Sequence, residues 1–214
     1  MIDIDAQFEY WDRVGLTKPF SHSLALDRLQ SWLALDARVV DIGCGYGRNI
    51  AVLADAGFVR LLGVEPAQTM AVAARARCPR VPIVLGDARR LPLCDHCADA
   101  VLLFAVLTCI PTDEGQRAAL AETRRLLQPG GILCVSDFCL QTDPRNVERY
   151  ERGVRRFGRY GVFELTEGVI LRHHDRAWLD ELTGEFSTVE RRELEVSTMN
   201  GHVALGFQWV GRLK

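Results

Sequence analysis

The 214-residue sequence has no long hydrophobic run, no strong excess of one charge, and no repeat or low-complexity segment. No apolar stretch reaches the roughly 18 residues that a membrane-spanning helix needs. The acidic start, Met1-Ile2-Asp3-Ile4-Asp5, lacks the apolar centre of a signal peptide. The formal net charge of −2 creates no overall field that would attract nucleic acid or an acidic membrane. We therefore expect a cytoplasmic protein without a membrane partner, folded as a single domain over residues 1–214.

The cysteine pattern also lacks the features of a disulfide framework or a structural metal site. Seven is an odd number, and a chain of this length can bury a core without disulfides. Cys94 and Cys97 have C-x-x-C spacing around His96, but no second pair follows. A structural zinc site uses four protein ligands. The sequence therefore predicts reduced thiols, a surface turn at Cys94–Cys97, and no metal.

A glycine-rich stretch follows the first predicted strand, residues 38–42. Gly43, Gly45 and Gly47 occupy alternate positions, and apolar residues at helical spacing come after them. A strand that turns through glycines into a helix places free backbone N–H groups and a positive dipole end at one point. Glycine also lets a ligand approach the backbone closely. With Asp41 available to accept a hydrogen bond from a ligand amine, this pattern predicts a site for a small polar cofactor.

Two further acidic residues distinguish this loop from a dinucleotide site. The dinucleotide fingerprint G-x-G-x-x-G requires a third glycine at position 48, which is Arg48 here. Glu65 and Asp87 end the second and third predicted strands, and the carboxyl ends of parallel strands face one crevice. There, Glu65 can accept hydrogen bonds from both ribose hydroxyls. Asp87, beside the apolar Ala88, can bind an adenine amino group.

The remaining chain predicts an α/β fold with a doubly wound, mostly parallel seven-stranded sheet. The other parallel strands are expected at 61–64, 82–85, 99–105 and 132–136. Pro129-Gly130-Gly131 is expected to end the helix over 113–127. Two extended runs, 188–198 and 203–212, are joined at Asn200-Gly201, which predicts a C-terminal antiparallel hairpin.

Residues 138–174 interrupt the alternation of strands and helices with a charged helix over 146–158 and a β-like segment over 162–172. One predicted side of this helix carries Arg145, Arg149, Arg152, Arg156 and Arg159. The opposite side carries Val147, Tyr150, Val154 and Phe157. Glu148 and Glu151 lie four residues before Arg152 and Arg155, which favours a solvated, self-paired face. An anionic acceptor and an RNA backbone are the alternative partners for the arginines.

The ordered set of motifs resembles the class I (Rossmann-like) S-adenosylmethionine-dependent methyltransferases of a small bacterial type. The resemblance spans nearly the whole chain and rests on residues 40–47, 63–66, 86–88, 104–107 and 126–131. It implies S-adenosyl-L-methionine as cofactor, S-adenosyl-L-homocysteine as product, and methyl transfer to O, N or S of a small-molecule acceptor. Residues 105–111 are also similar to methyltransferases that modify wobble uridine in tRNA. A non-catalytic S-adenosylmethionine-binding protein is the third alternative, and the oligomeric state stays open.

The resemblance also implies roles for individual residues. The cofactor-binding set is Asp41, Gly43, Cys44, Gly45, Gly47, Glu65, Pro66, Met70, Asp87, Ala88, Phe104 and Ala105. The candidate substrate-binding set is Tyr10, Trp11, Thr108, Cys109, Arg172 and His173. A methyltransferase can lack a general base because the methyl group is already activated, so His22, His173 and His174 are candidates only. Residues 1–36 are expected to form a helical lid, and residues 138–174 a cap over the acceptor.

Overall fold

The computed structural model describes residues 3–214 and contains one large sheet of seven strands. Its strands are β1 (Arg38–Ile42), β2 (Arg60–Glu65), β3 (Ile83–Leu85), β4 (Ala98–Phe104), β5 (Leu127–Phe138), β8 (Phe186–Ser197) and β9 (Val203–Leu213). Their order across the sheet is β3-β2-β1-β4-β5-β9-β8. The first five pair in parallel, and β9 runs antiparallel to both β5 and β8. This architecture confirms the predicted mostly parallel sheet with a C-terminal hairpin.

The part of the chain that the structure describes has seven α-helices around the sheet. They are α1 (Phe8–Val14), α2 (Leu26–Trp32), α3 (Arg48–Asp55), α4 (Gln68–Arg77), α5 (Asp113–Leu126), α6 (Pro144–Phe157) and α7 (Arg176–Leu182), with short 3-10 turns at Gly15–Thr17 and Leu107–Cys109. Over residues 3–214, no helix combines the length and apolar character needed to cross a membrane.

The central strand β4 separates two hydrophobic cores. Val101 and Leu103 face one core, whereas Ala100 and Leu102 face the other, because successive side chains of a strand point to opposite faces. All four are fully buried. Coverage on both faces explains why this strand is apolar without alternation.

The helix predicted over 113–127 is confirmed, since α5 ends at Leu126. The fifth strand begins earlier than the predicted position 132, because β5 starts at Leu127, which pairs with Ala98. The pairing then jumps to Ile132 opposite Ala100, so the intervening residues bulge from the strand. Gly130 has φ +75°, a left-handed conformation that glycine adopts without steric cost.

The predicted orientation of the charged helix was also partly wrong. Helix α6 buries Asn146, Tyr150 and Gly153, whereas Val154, which was expected on the apolar side, is 41% exposed. A Cβ atom at Gly153 would lie 1.7 Å from the backbone oxygen of Val162, so the absence of a side chain lets the helix lie directly on β6 (Val162–Glu164). Strand β6 pairs with β7 (Ile170–Arg172) in a separate two-stranded sheet. The side of α6 that faces the protein therefore extends to Arg149, which is half-buried.

The N-terminal segment crosses the carboxyl edge of the sheet and contacts the inserted residues 138–174. The side chain of Gln7 donates to the carbonyl of Ile170 (2.6 Å) and accepts from its N–H (2.7 Å). The Asp5 carboxylate accepts hydrogen bonds from the backbone N–H (3.0 Å) and hydroxyl (2.5 Å) of Thr112. The hydroxyl of Ser21 bonds both backbone groups of Ser197. These long-range bonds place the segment over the edge where the strand ends converge.

Candidate functional site

The glycine loop after β1 has a backbone that only glycine adopts readily. Gly43, Gly45 and Gly47 have φ values of +67°, +57° and +79°. A Cβ atom at Gly43 would lie 2.7 Å from Cγ2 of Val106. The loop is tied to β2 because Gly43 and Cys44 both donate to the carbonyl of Val64. Glycine therefore lets the loop after β1 pack closely against Val106, which follows β4, and leaves the loop backbone open to a ligand.

Glu65 links the end of β2 to this loop. Its carboxylate accepts hydrogen bonds from the backbone N–H groups of Gly45 (2.8 Å) and Ala67 (3.0 Å). Burial nevertheless raises the pKa of Glu65 to about 7. Because each carboxylate oxygen has two lone pairs, both oxygens keep the capacity to accept from a ligand diol.

Asp41 is buried at the end of β1, and its carboxylate oxygens have no hydrogen-bond partner within the described chain. Burial raises the pKa of this carboxyl to about 7, although nearby Arg48 opposes the shift. A buried carboxylate without a partner is costly. The side chain of the nearby Asn49 also lowers this pKa, and Asp41 lies behind the loop without lining the cavity beside it, so its contact with a ligand amine stays a prediction.

A cavity of about 900 Å³ lies against the glycine loop. It brings together all the predicted cofactor-binding residues except Asp41 and Gly47: Gly43, Cys44, Gly45, Glu65, Pro66, Met70, Asp87, Ala88, Phe104 and Ala105. The N-terminal segment contributes further lining residues that the motifs did not indicate, among them Asp5, Gln7 and Phe20.

Asp87 lines this cavity and is held by Arg89, a residue that sequence reasoning missed. The guanidinium of Arg89 binds the carboxylate of Asp87 through Nη2 (2.6 Å) and Nε (2.9 Å). The same guanidinium reaches Asp3 (2.9 Å) and Asp5 (3.5 Å). Arg89 therefore joins the end of β3 to the N-terminal segment. In the sequence, the only indication of this role is that a basic residue follows Asp87 by two positions.

A second cavity, of about 770 Å³, adjoins the first and shares Trp11, Phe20, Ala105 and Cys109 with it. Ala105 has φ +56°, an unfavourable conformation for a residue with a side chain, and its N–H donates to the carbonyl of Ser136 (2.8 Å). Strained backbone of this kind concentrates at functional sites. The common wall of the two cavities is therefore where two ligands would meet.

His22 lines the second cavity as a neutral base. Its Nδ1 lies 2.9 Å from Oγ of Ser136, and the Ser136 hydroxyl donates its single proton to the carbonyl of Phe207 (3.2 Å). With the serine proton on Phe207, the serine oxygen accepts from His22; we assign this tautomer, in which Nδ1 carries the proton and Nε2 has a lone pair. Nε2 is buried without a partner, and burial together with Arg48 lowers the pKa of His22 to about 4.

His173 lines the same cavity with the opposite hydrogen-bonding character. Its Nδ1 lies 2.6 Å from the hydroxyl of Tyr150, whose oxygen accepts the backbone N–H of Gln141 (3.2 Å). We assign the tyrosine proton to the bond with Nδ1, the tautomer in which Nε2 of His173 carries the hydrogen. The ring stacks on Phe138 at 5.1 Å between centroids. Burial holds the pKa of His173 well below its usual value, so the ring is a neutral donor.

His174, Arg172 and Tyr10 line neither cavity. Nε2 of His174 lies 2.9 Å from the amide nitrogen of Gln116. The buried guanidinium of Arg172 pairs with Asp113 at 2.6 Å. His174 and Arg172 thus join the inserted residues to the α5 region. Of the other candidate substrate residues, Trp11, Thr108 and Cys109 do line the second cavity.

The arginines of α6 separate into two groups. Arg152 forms the predicted pair with Glu148 within the helix, whereas Arg156 pairs with Glu164 of β6, and Arg159, just after the helix, pairs with Asp113 and Asp175. Arg145 and Arg149 instead line the second cavity.

Within residues 3–214, no group of three or more His, Cys, Asp or Glu side chains is arranged to hold a metal ion. Cys94 is exposed and Cys97 is half-buried, and neither thiol is in a disulfide.

The family model and the two relatives described here are all methyltransferases. Residues 40–135 match the family model described as a methyltransferase domain. The chain is 30% identical over 158 residues to the 27-O-demethylrifamycin SV methyltransferase of Amycolatopsis mediterranei, covering 70% of this chain and 57% of that protein. It is 36% identical over 124 residues to a demethylmenaquinone methyltransferase of Beutenbergia cavernae, covering 54% and 50%.

A solved structure described as an S-adenosylmethionine-dependent methyltransferase from Methanosarcina mazei shares the fold, with a TM-score of 0.81 at 22% identity over 87% of this chain and 96% of that one. The chain spans about half the length of the curated relatives it matches. The domain match, the relatives and the strand order agree: residues 40–135 belong to the methyltransferase-domain family, and the chain has the fold of the class I S-adenosylmethionine-dependent methyltransferases.

Proposed function

We propose that the protein transfers a methyl group from S-adenosylmethionine to a small-molecule acceptor, and that His22 accepts the acceptor's proton. The observation that carries this proposal is the common wall of the two cavities at Ala105 and Cys109. One cavity has the residues that fit the cofactor, and the other has a neutral base. Two ligands placed in them would meet at that wall.

Three acidic residues are suited to hold the cofactor. Glu65 would bind the ribose hydroxyls, Asp41 the amine, and Asp87 the adenine amino group. S-adenosylmethionine would supply a methyl group that is already activated on a sulfonium. The protein then needs to align the acceptor and exclude water. The N-terminal segment contributes to exclusion because Phe8, Trp11 and Phe20 line the cofactor cavity.

His22 is suited to take a proton from an O–H, N–H or S–H group of the acceptor. Its Nε2 lone pair is unpartnered, while Ser136 fixes the orientation of the ring. Arg48, in the first turn after the glycine loop, donates to the backbone carbonyl of His22. The base is thereby connected to the loop that would hold the cofactor. His173 would donate a hydrogen bond to the acceptor rather than accept one.

The second cavity favours a small molecule over tRNA. Aromatic and aliphatic side chains line it together with a few polar groups, as is usual for small-molecule sites. Three arginines of the helix that could follow an RNA backbone are paired with carboxylates, and Arg149 points inward. Relatives named for rifamycin and menaquinone precursors support the same class of acceptor.

The proposal is tested with tritiated-methyl S-adenosylmethionine and an extract of the source organism, separated into small-molecule, RNA and protein fractions. We expect label in the small-molecule fraction with the wild-type protein and with Glu148→Gln, an exposed control. Glu65→Gln should lose most of the label and most of the cofactor affinity. Label in the RNA fraction would overturn the small-molecule assignment. Intact cofactor binding without label in any fraction would favour a non-catalytic binding protein.

A further inference from the structure

We propose that the acceptor is an apolar organic carboxylate whose negative group pairs with Arg149. The inference rests on the proposed function, in which the second cavity holds the acceptor. It adds the chemical class of that acceptor and assigns Arg149 as the residue that selects it.

The charges around the second cavity all have one sign. Arg145 and Arg149 line it together with three histidines, His22, His173 and His202. Of the described residues that line the cavity, none is Asp or Glu. A cavity with two cations and no carboxylate favours a negatively charged ligand, because the ligand would restore the missing countercharge.

Arg149 is the cation without an ion-pair partner. Its guanidinium lies 3.6 Å from the centroid of the Phe163 ring, and Nε is buried without a hydrogen bond. Across residues 3–214 it forms no ion pair, whereas Arg152, Arg156 and Arg159 on the same side of the helix each do. Burial lowers the pKa of Arg149, and its charge is stabilised by the neighbouring Tyr150 and by Asp143.

An unpaired, partly buried guanidinium raises the energy of the free protein, and a carboxylate can relieve this through two parallel hydrogen bonds. Arg145, one helical turn away, adds a like charge and so strengthens the preference for an anion. Asp143 does not neutralise both cations, because it reaches only Nε of Arg145, at 4.0 Å, and its carboxylate caps α6 by accepting the backbone N–H of Asn146.

Part of the cavity wall is apolar and aromatic. Its walls include Phe138, Phe163, Leu165, Leu171 and Met199. Such walls favour a singly charged carboxylate on a hydrophobic frame over a strongly hydrated phosphate.

Two other residues that line this cavity each have a buried polar atom without a partner, Nε2 of His22 and Oγ1 of Thr108. The geometry therefore suits an acceptor with its charge at Arg149 and its methylated atom near His22.

The test measures binding to protein saturated with S-adenosylhomocysteine, using calorimetry and matched pairs of probes. Each aromatic carboxylate is compared with its primary amide, for example 2-naphthoate with 2-naphthamide and 4-hydroxybenzoate with 4-hydroxybenzamide. We expect acids to bind wild-type protein at least about tenfold more tightly than amides, as a charge-assisted pair would give. Arg149→Met should reduce this preference to about onefold, Arg149→Lys should keep part of it, and the exposed control Arg152→Met should keep all of it.

Equal affinity for acids and amides in the wild type would overturn the assignment, as would a preference that survives in Arg149→Met. Absence of binding by every acid at millimolar concentration would also overturn it. Direct titration of S-adenosylhomocysteine separates this failure from that of the proposed function. Loss of cofactor binding in the wild type refutes the methyltransferase proposal, whereas transfer of label to a neutral acceptor without an acid preference refutes only the role of Arg149.

Discussion

His22 and Ser136 are joined by a 2.9 Å hydrogen bond, although they lie 114 residues apart in the chain. The bond connects the N-terminal segment to β5 and fixes which histidine nitrogen carries the proton. A base oriented in this way differs from a histidine that merely packs in a core, since its second nitrogen has no partner within the described chain.

Replacing His22 tests its role as the proton acceptor. His22→Gln is expected to lower kcat by roughly 10²-fold or more, as loss of a general base does, while leaving S-adenosylhomocysteine affinity unchanged. Ser136→Ala should cause a smaller loss because the ring remains but its tautomer is no longer fixed. Steady-state kinetics at saturating cofactor and calorimetry measure the two effects. A His22→Gln variant with wild-type kcat would show that the acceptor needs no base, and His96→Gln, which lines neither cavity, provides the matched control.

Cofactor binding is expected to depend on pH through Asp41. Burial raises its pKa to about 7, so the free protein holds a neutral carboxyl below that pH. An amine cation binds the ionised form, and binding below pH 7 must therefore release a proton. Affinity for S-adenosylhomocysteine should rise between pH 6 and pH 8. Asp41→Asn should bind more weakly and with a flatter pH profile, unlike the exposed control Asp36→Asn. If the affinity of Asp41→Asn for S-adenosylhomocysteine rises with pH as steeply as that of the wild type, the titrating group is not Asp41. Glu65, whose pKa is also raised to about 7, would then be assigned.

The buried carboxyl of Asp137 should make folding stability depend on pH. Burial raises its pKa to about 7, although the N–H groups of Thr108 and Phe138 donate to it. The folded state therefore binds more protons than the unfolded state between about pH 4 and pH 7, and this residue's contribution to the free energy of unfolding falls as pH rises. The free energy of unfolding of the wild type minus that of Asp137→Asn should be at least about 1 kcal/mol more positive at pH 5 than at pH 7.

Urea titrations at both pH values measure this difference. The lowered pKa of His22 contributes a trend of the opposite sign that is common to both proteins. His174 is coupled to Asp137, because its Nδ1 lies 4.0 Å from Oδ1 of that carboxyl, so the comparison measures the two groups together. A stability difference independent of pH would contradict the titration assigned to Asp137.

Gly153 is expected to be intolerant of any side chain. A methyl group there would collide with the backbone oxygen of Val162, and an overpacked contact costs about 1–3 kcal/mol. Gly158→Ala, at the end of the same helix, is the matched comparison, because its φ is +71° but a Cβ atom there would have no neighbour within 4 Å. It should cost about 1 kcal/mol through backbone strain alone. Urea unfolding that finds Gly153→Ala less harmful than Gly158→Ala would contradict the close contact of α6 with β6.

Patterns of neighbouring residues in the sequence were sufficient to predict the parallel strands and the glycine loop. Central strands are uniformly apolar because both faces are covered, and the glycines of the loop are required by positive φ values. Glu65 was recognisable because a strand end has a defined position in this fold, and its bond to Gly45 follows from that placement. These features depend on residues close in sequence or on a regular sheet, so sequence alone was sufficient for them.

Only the tertiary structure decided which polar side chains face the second cavity. Helical periodicity placed Arg149 with the solvated arginines, but Gly153 draws the helix onto β6 and turns Arg149 inward. His173 and His174 are adjacent in sequence, yet one lines the cavity and the other bonds Gln116. The pairing of His22 with Ser136 likewise depends on how the N-terminal segment crosses the sheet. Such contacts depend on how closely segments that are distant in sequence pack together. No pattern of neighbouring residues in the sequence indicates that packing.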